Sequence, residues 1–150
     1  MTPDNPPPAD REEWASLYAA FAILRKESER ALSVWQVTVS QATVLGLLAE
    51  AAQPLSVGAL AELMLLESPS VTSLVDRMCE SGLVERLKDP HDRRKALIKL
   101  TNKGRKVHDD VRASAAAVSD ELFGVLSDKK REALKLLLQE FTRRNIRRLR

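Results

Sequence analysis

Between Ser68 and Leu100 the apolar positions change from a helical to a strand-like period, and a glycine marks the change. Val71, Leu74, Val75 and Met78 recur at steps of three and four, which places them on one buried helix face. Ser70, Ser73, Asp76, Arg77 and Glu80 fall on or beside the opposite face, which is short, hydroxyl-rich and sparsely charged. Ser68 followed by Pro69 predicts the start of this helix, because a serine hydroxyl accepts from a first-turn amide and proline fits the first helical position. Gly82 predicts its end, since the left-handed conformation after a last turn costs glycine little. A second helix is predicted just upstream, with Ser56 as its cap and Val57, Leu60, Ala61 and Met64 as its stripe. Only Leu65, Leu66 and Glu67 lie between the two, which is the spacing of a helix-turn-helix.

After Gly82, the runs Val84 to Lys88 (VERLK) and Ala96 to Leu100 (ALIKL) predict two short strands. The turn-forming Asp89, Pro90, His91 and Asp92, then Arg93 and Arg94, join them into a polar finger. The flanks are helical again. Trp14, Leu17, Tyr18, Phe21 and Leu24 form a stripe before the region, and Val107, Val111, Ala115, Val118, Leu122 and Val125 form one after it. Ser127 is a predicted cap for a last helix carrying Leu134, Leu137, Leu138 and Phe141. The fold class that follows is mainly α with a small β-hairpin wing: a winged helix-turn-helix domain at residues 40–101, and a helical dimerisation body from 11–36 and 102–150. A small winged domain cannot cover long apolar stripes at both ends of the chain, so pairing with a second copy is expected, although ordinary intrachain core accounts for part of each stripe. The proline-rich segment 1–10 is expected to be disordered or extended.

Composition adds bounds rather than identity. A length of 150 residues fits one domain and the 44% hydrophobic content suffices for a core. No apolar run is long enough to span a bilayer and no leader peptide is evident, so a cytoplasmic protein without membrane partners is expected. The formal charge of +3 misleads, because Arg143, Arg144, Arg147, Arg148 and Arg150 supply it; the remaining residues carry 19 bases against 21 acids. Local distribution matters more. From Val84 to Leu100, Arg86, Lys88, Arg93, Arg94, Lys95 and Lys99 face only Glu85, Asp89 and Asp92, an excess of three positive charges. A guanidinium at the tip of a thin hairpin can enter a minor groove, where a narrow A·T-rich geometry deepens the negative potential. Asp92 is placed to hold Arg94 extended. A lone arginine there would read as a solvated loop residue, but its position after a helix-turn-helix changes that reading.

The residues Leu60-Ala61-Glu62, Val71-Thr72, Leu74-Val75-Asp76-Arg77, Gly82-Leu83-Val84-Glu85-Arg86, Asp89-Pro90-x-Asp92-Arg93-Arg94 and Leu100-Thr101-x-x-Gly104 resemble, without gaps, the MarR family of bacterial transcription regulators. The wing block with the LTxxG that follows it is the specific part. The resemblance implies a homodimeric regulator that binds a palindromic operator in double-stranded DNA, with repression relieved by a small ligand or by oxidation. It carries over Ser68, Ser70, Thr72 and Ser73 as major-groove candidates at the start of the recognition helix, Arg77 as a phosphate or base contact, and Arg94 with Asp92, beside Arg93, as the wing contact. A small aromatic or anionic effector would sit between the first helices and the reading head, with Trp14, Tyr18, Phe21 and Trp35 as candidate walls. An aromatic stripe at helical spacing is more often core than pocket. The chain departs from the family pattern at Leu65, where a glycine is usual, and at Ser73, where many members carry arginine.

Enzyme readings find little support. His91 falls in the wing loop and His108 on the polar side of a long helix, both as solvated residues outside any metal or triad spacing, so no cofactor and no metal is expected. Cys79 is the single cysteine and reads as a small, partly buried apolar residue. The alternative to a DNA-binding regulator is a helical protein-interaction module that keeps the winged shape without binding DNA.

Overall fold

The computed structural model describes residues 12–89, 92 and 96–146. The predicted disorder of residues 1–10 lies outside that range. In chain order the elements are α1 (Glu12–Leu32), a 3-10 turn (Ser33–Trp35), α2 (Val39–Glu50), β1 (Leu55–Ser56), α3 (Val57–Met64), α4 (Ser68–Glu80), β2 (Val84–Lys88), β3 (Ala96–Leu100), α5 (Asn102–Phe123) and α6 (Asp128–Asn145).

Local chemistry sets most of the boundaries. Thr38 and Gln41 cap α2 reciprocally: the Gln41 amide donates to Thr38 Oγ1 at 3.2 Å and the Thr38 amide donates to Gln41 Oε1 at 2.8 Å. Ser56 caps α3 as the sequence predicts, its Oγ accepting from the Ala59 amide at 3.1 Å. Leu65 ends α3 in the left-handed region at φ 55°, and the Leu66 amide then reaches the Ala61 carbonyl at 3.0 Å. A Cβ in that region costs about 1–2 kcal/mol, so the turn keeps a glycine-like conformation at the position where the family pattern has glycine.

The start of α4 corrects one expectation. Its N-cap is Glu67, without a side-chain cap bond, and Ser68 is already the first helical residue. The Ser70 and Val71 amides both donate to the Glu67 carbonyl, which moves the helix start one residue ahead of the Ser-Pro signal. At the other end Gly82 sits at φ 70°, with the Gly82 amide donating to Cys79 O at 2.9 Å and the Leu83 amide to Met78 O at 2.9 Å. A Cβ on Gly82 would meet nothing nearer than Lys103 Cδ at 4.0 Å, so replacing it tests the backbone alone. Gly82→Ala is expected to cost about 1–2 kcal/mol and to lower the melting temperature by about 2–8 °C, read by circular dichroism on heating.

Both wing strands lie at the predicted positions. They pair antiparallel in the register Val84↔Leu100 to Lys88↔Ala96. The sequence reading missed β1, which pairs with β3 through Leu55↔Ile98 and Ser56↔Leu97 and gives the sheet the order β1-β3-β2. Two residues are too few to show an alternating pattern.

The core lies mainly within residues 40–101. Val44, Leu45, Leu60, Val71, Val75, Met78 and Ile98 are fully buried, and among the described residues only Leu32 and Val37 join the buried hydrophobic cluster from outside residues 40–101. The predicted α4 stripe is thus buried in full. α5 packs against α1 and α2, whereas α6 has no buried residue and no extensive packing against another element among the described residues. Its attachment includes Arg131, whose Nε donates to the Phe123 carbonyl at 2.8 Å. Two expectations for this region change. Val125 leaves the α5 stripe because the helix stops at Phe123, and it is 85% exposed in the turn. Ser127 occupies the N-cap of α6 but makes no side-chain cap bond.

Candidate nucleic-acid interface

The apolar side of α4 is locked into the core, and this turns Ser68, Ser70, Thr72, Ser73 and Arg77 outward together. Two of the hydroxyls are oriented by the helix itself. Thr72 Oγ1 donates to the Ser68 carbonyl at 2.9 Å and Ser73 Oγ to the Pro69 carbonyl at 3.2 Å. Arg77 is the single cation of α4 and makes no ion pair among the described residues.

The wing is joined to this helix by charge. Asp76 on α4 accepts from Arg86 on β2 at 2.7 Å, and Glu85 on β2 meets Lys99 on β3 at 3.1 Å. The sequence reading counted Arg86 and Lys99 in the local positive excess, with Glu85 among the acids set against them, and assigned neither pair, since Asp76 lies outside the counted segment and cross-strand register fixes the other pair. Asp92 is half-buried, its amide donating to Asp89 Oδ1 at 3.2 Å. Arg93, Arg94 and His91 lie outside the described residues, and so does the expected Asp92 to Arg94 contact.

A second feature, also missed, ties the end of α4 to α5. Thr101 Oγ1 donates toward the Gly82 carbonyl at 2.7 Å, with Leu83 O at 3.2 Å, and accepts from the Gly104 amide at 3.0 Å. Lys103 Nζ donates to the Ser81 carbonyl at 2.7 Å. Gly104 is buried so closely that an added Cβ would lie 1.9 Å from the Leu83 carbonyl oxygen. The LTxxG motif is therefore a clamp: it grips the turn leaving α4 at the point where α5 begins.

Residues 35–95 match the sequence profile described as the MarR family. An uncharacterised HTH-type transcriptional regulator of Bacillus subtilis, YsmB, is 31% identical over 114 residues, covering 76% of this chain and 77% of that protein. The chain belongs to the MarR family. It is a DNA-binding transcription regulator built on the winged helix-turn-helix, and the relatives are named regulators rather than enzymes. Among solved structures, CouR from Rhodococcus jostii RHA1 bound to p-coumaroyl-CoA superposes with a TM-score of 0.76 at 26% identity, covering 89% of this chain and 92% of CouR. The S. aureus MepR–DNA complex superposes with a TM-score of 0.80 over 88% of this chain and 96% of MepR, a likeness of fold at 21% identity.

The structure separates the four aromatic candidates. Trp35 is half-buried and lines a cleft of about 370 Å³ between α1, α2 and α5, together with Leu24, Ser28, Val111, Ser114 and Leu122. Among the described residues no charged side chain lines it. Trp14, Tyr18 and Phe21 instead line, with Leu17, a separate open groove of about 310 Å³ on the exposed face of α1. Helical spacing put them on one stripe, but Trp35 follows the end of α1 and turns inward with the 3-10 segment. His108 also departs from expectation: its side chain is only 14% exposed and its Nδ1 lies 2.9 Å from Asp109 Oδ1. Cys79 is half-buried as expected, and burial pushes its thiol above the ordinary value despite the nearby Arg86. A raised thiol has little thiolate at neutral pH and reacts slowly with oxidants. No single helix among the described residues is long and apolar enough to cross a membrane.

Proposed function

We propose that this MarR-family protein is a homodimeric repressor, in which α4 of each subunit reads a major groove, the wing reaches the adjacent minor groove, and a small ligand releases the DNA. The observation that carries this reading is the division of α4 into a fully buried apolar side and an exposed side bearing Ser68, Ser70, Thr72, Ser73 and Arg77. Two such helices one DNA turn apart would read a palindrome with half-site centres about 10 bp apart. Arg93, Arg94 and Asp92 serve the wing contact. Exposed apolar residues on α1 and α6, among them Phe21 and Phe141 at 58% and 53%, support the pairing of two copies. The Trp35 cleft suits an effector that is aromatic and uncharged where it is enclosed, because an anion without a cationic partner is costly to bury. Induction requires that the ligand prefer a dimer whose reading helices are misplaced for DNA, since equal affinity for both states shifts nothing.

The test is a fluorescence-anisotropy titration of a duplex recovered by selection, repeated over a range of salt. Affinity should fall with a slope of about −0.9 per phosphate neutralised. Arg77→Ala should weaken cognate and random duplexes alike and flatten that slope by about one unit. Arg94→Ala should weaken the cognate duplex further and relax the A·T preference beside each half-site. An affinity indifferent to salt, or no binding to any duplex in dilute buffer, would remove the proposal.

A further inference from the structure

The first two turns of α4 carry no cation, and their outward hydroxyls at positions 72 and 73 have already committed their hydrogens. A threonine or serine hydroxyl has one hydrogen to give. In Thr72 that hydrogen points to the Ser68 carbonyl at 2.9 Å, and in Ser73 to the Pro69 carbonyl at 3.2 Å. What each oxygen offers is therefore acceptor lone pairs, and Thr72, an exposed residue, adds a methyl group. The base edges that complement an acceptor in the major groove are the exocyclic amines of adenine and cytosine, and the edge that complements a methyl is the C5-methyl of thymine. Only an A·T pair presents both. A guanine edge shows two acceptors, and the residue type that pairs with it, an arginine, first occurs on this helix at Arg77.

We infer that Thr72 is a specificity-determining residue that selects an A·T pair in each half-site, its Oγ1 accepting from the adenine N6 amine and its methyl packing on the thymine methyl, with Ser73 accepting from the amine of a neighbouring base. The inference rests on the proposed placement of α4 in the major groove and adds to it the chemistry of the base pair chosen.

The test uses the full-length chain and a selected duplex in which each thymine of one half-site is replaced in turn by deoxyuracil, which lacks only the methyl. At one position the wild-type protein should lose about fourfold in affinity, the value of burying about one methylene-sized group. Thr72→Ser, which keeps the hydroxyl and removes the methyl, should bind the thymine and deoxyuracil duplexes equally. Thr72→Val should remain sensitive to deoxyuracil but no longer distinguish adenine from deoxynebularine, which lacks the N6 amine. Both variants change an exposed side chain, and their melting temperatures should stay near that of the wild type. Equal losses on deoxyuracil for the wild type and Thr72→Ser would overturn the inference while leaving DNA reading by α4 in place. Selection of a G·C pair at every thymine-insensitive position of the half-site, with no sensitive thymine, would do the same. Failure to bind any duplex would overturn both this inference and the function beneath it.

Discussion

Gly104→Ala is expected to be among the most damaging single substitutions in the chain, because the added Cβ would lie 1.9 Å from the Leu83 carbonyl oxygen, a backbone atom that cannot swing aside. The Leu83 carbonyl also accepts the Thr101 amide at 3.2 Å, so any shift that relieves the overlap loosens the clamp between the end of α4 and the start of α5. Overpacking of this kind costs about 1–3 kcal/mol and occasionally more; with the clamp bonds weakened as well, the upper part of that range is expected. Chemical denaturation read by far-ultraviolet circular dichroism would give the loss directly. A variant with unchanged midpoint would show that α5 can slide away from the turn at no cost. The comparison with Gly82→Ala is informative, since that glycine is needed for its dihedral angles in open space and Gly104 for its lack of volume.

The second large effect is expected at α6. Leu138→Asp combined with Phe141→Asp places two carboxylates on an apolar face that is 43% and 53% exposed at those positions in the single chain. If that face meets a second copy, the charges must be buried there, and the protein should sediment as a monomer at micromolar concentration. Binding to a palindromic duplex should then fall by about 10²–10⁴-fold, because the second half-site is no longer held at high effective concentration. The head should remain folded, since α6 contributes no buried residue to it. A variant that stays dimeric, or a wild-type protein that is already monomeric, would contradict the proposed assembly.

Much of the reading head was legible in the chain because its signals are local. The α4 stripe, the Ser56 cap, the Gly82 stop and the limits of both wing strands follow from side-chain period and from the conformations that serine and glycine favour within a few residues. Where the reading failed by one residue, at Ser68, two signals competed: a hydroxyl suited to a cap and a proline suited to the first turn, with the backbone bonds to Glu67 settling the start. The missed strand β1 and the Asp76–Arg86 pair share a different cause. Each depends on a partner brought near only when the sheet closes, and no periodicity within either segment reports it.

The amino-acid sequence by itself determined the run from α3 through α4 to the two wing strands, the apolar stripes of the flanking helices and the buried side of α4, since these rest on interactions among neighbours along the chain; α2 and β1 it did not reveal. Only the tertiary structure decided that Trp35 lines one cleft while Trp14, Tyr18 and Phe21 line another, and that Thr101, Lys103 and Gly104 grip the turn after α4. Both depend on the distance between segments remote in sequence, which is set by how the helices pack and not by the pattern within any one of them.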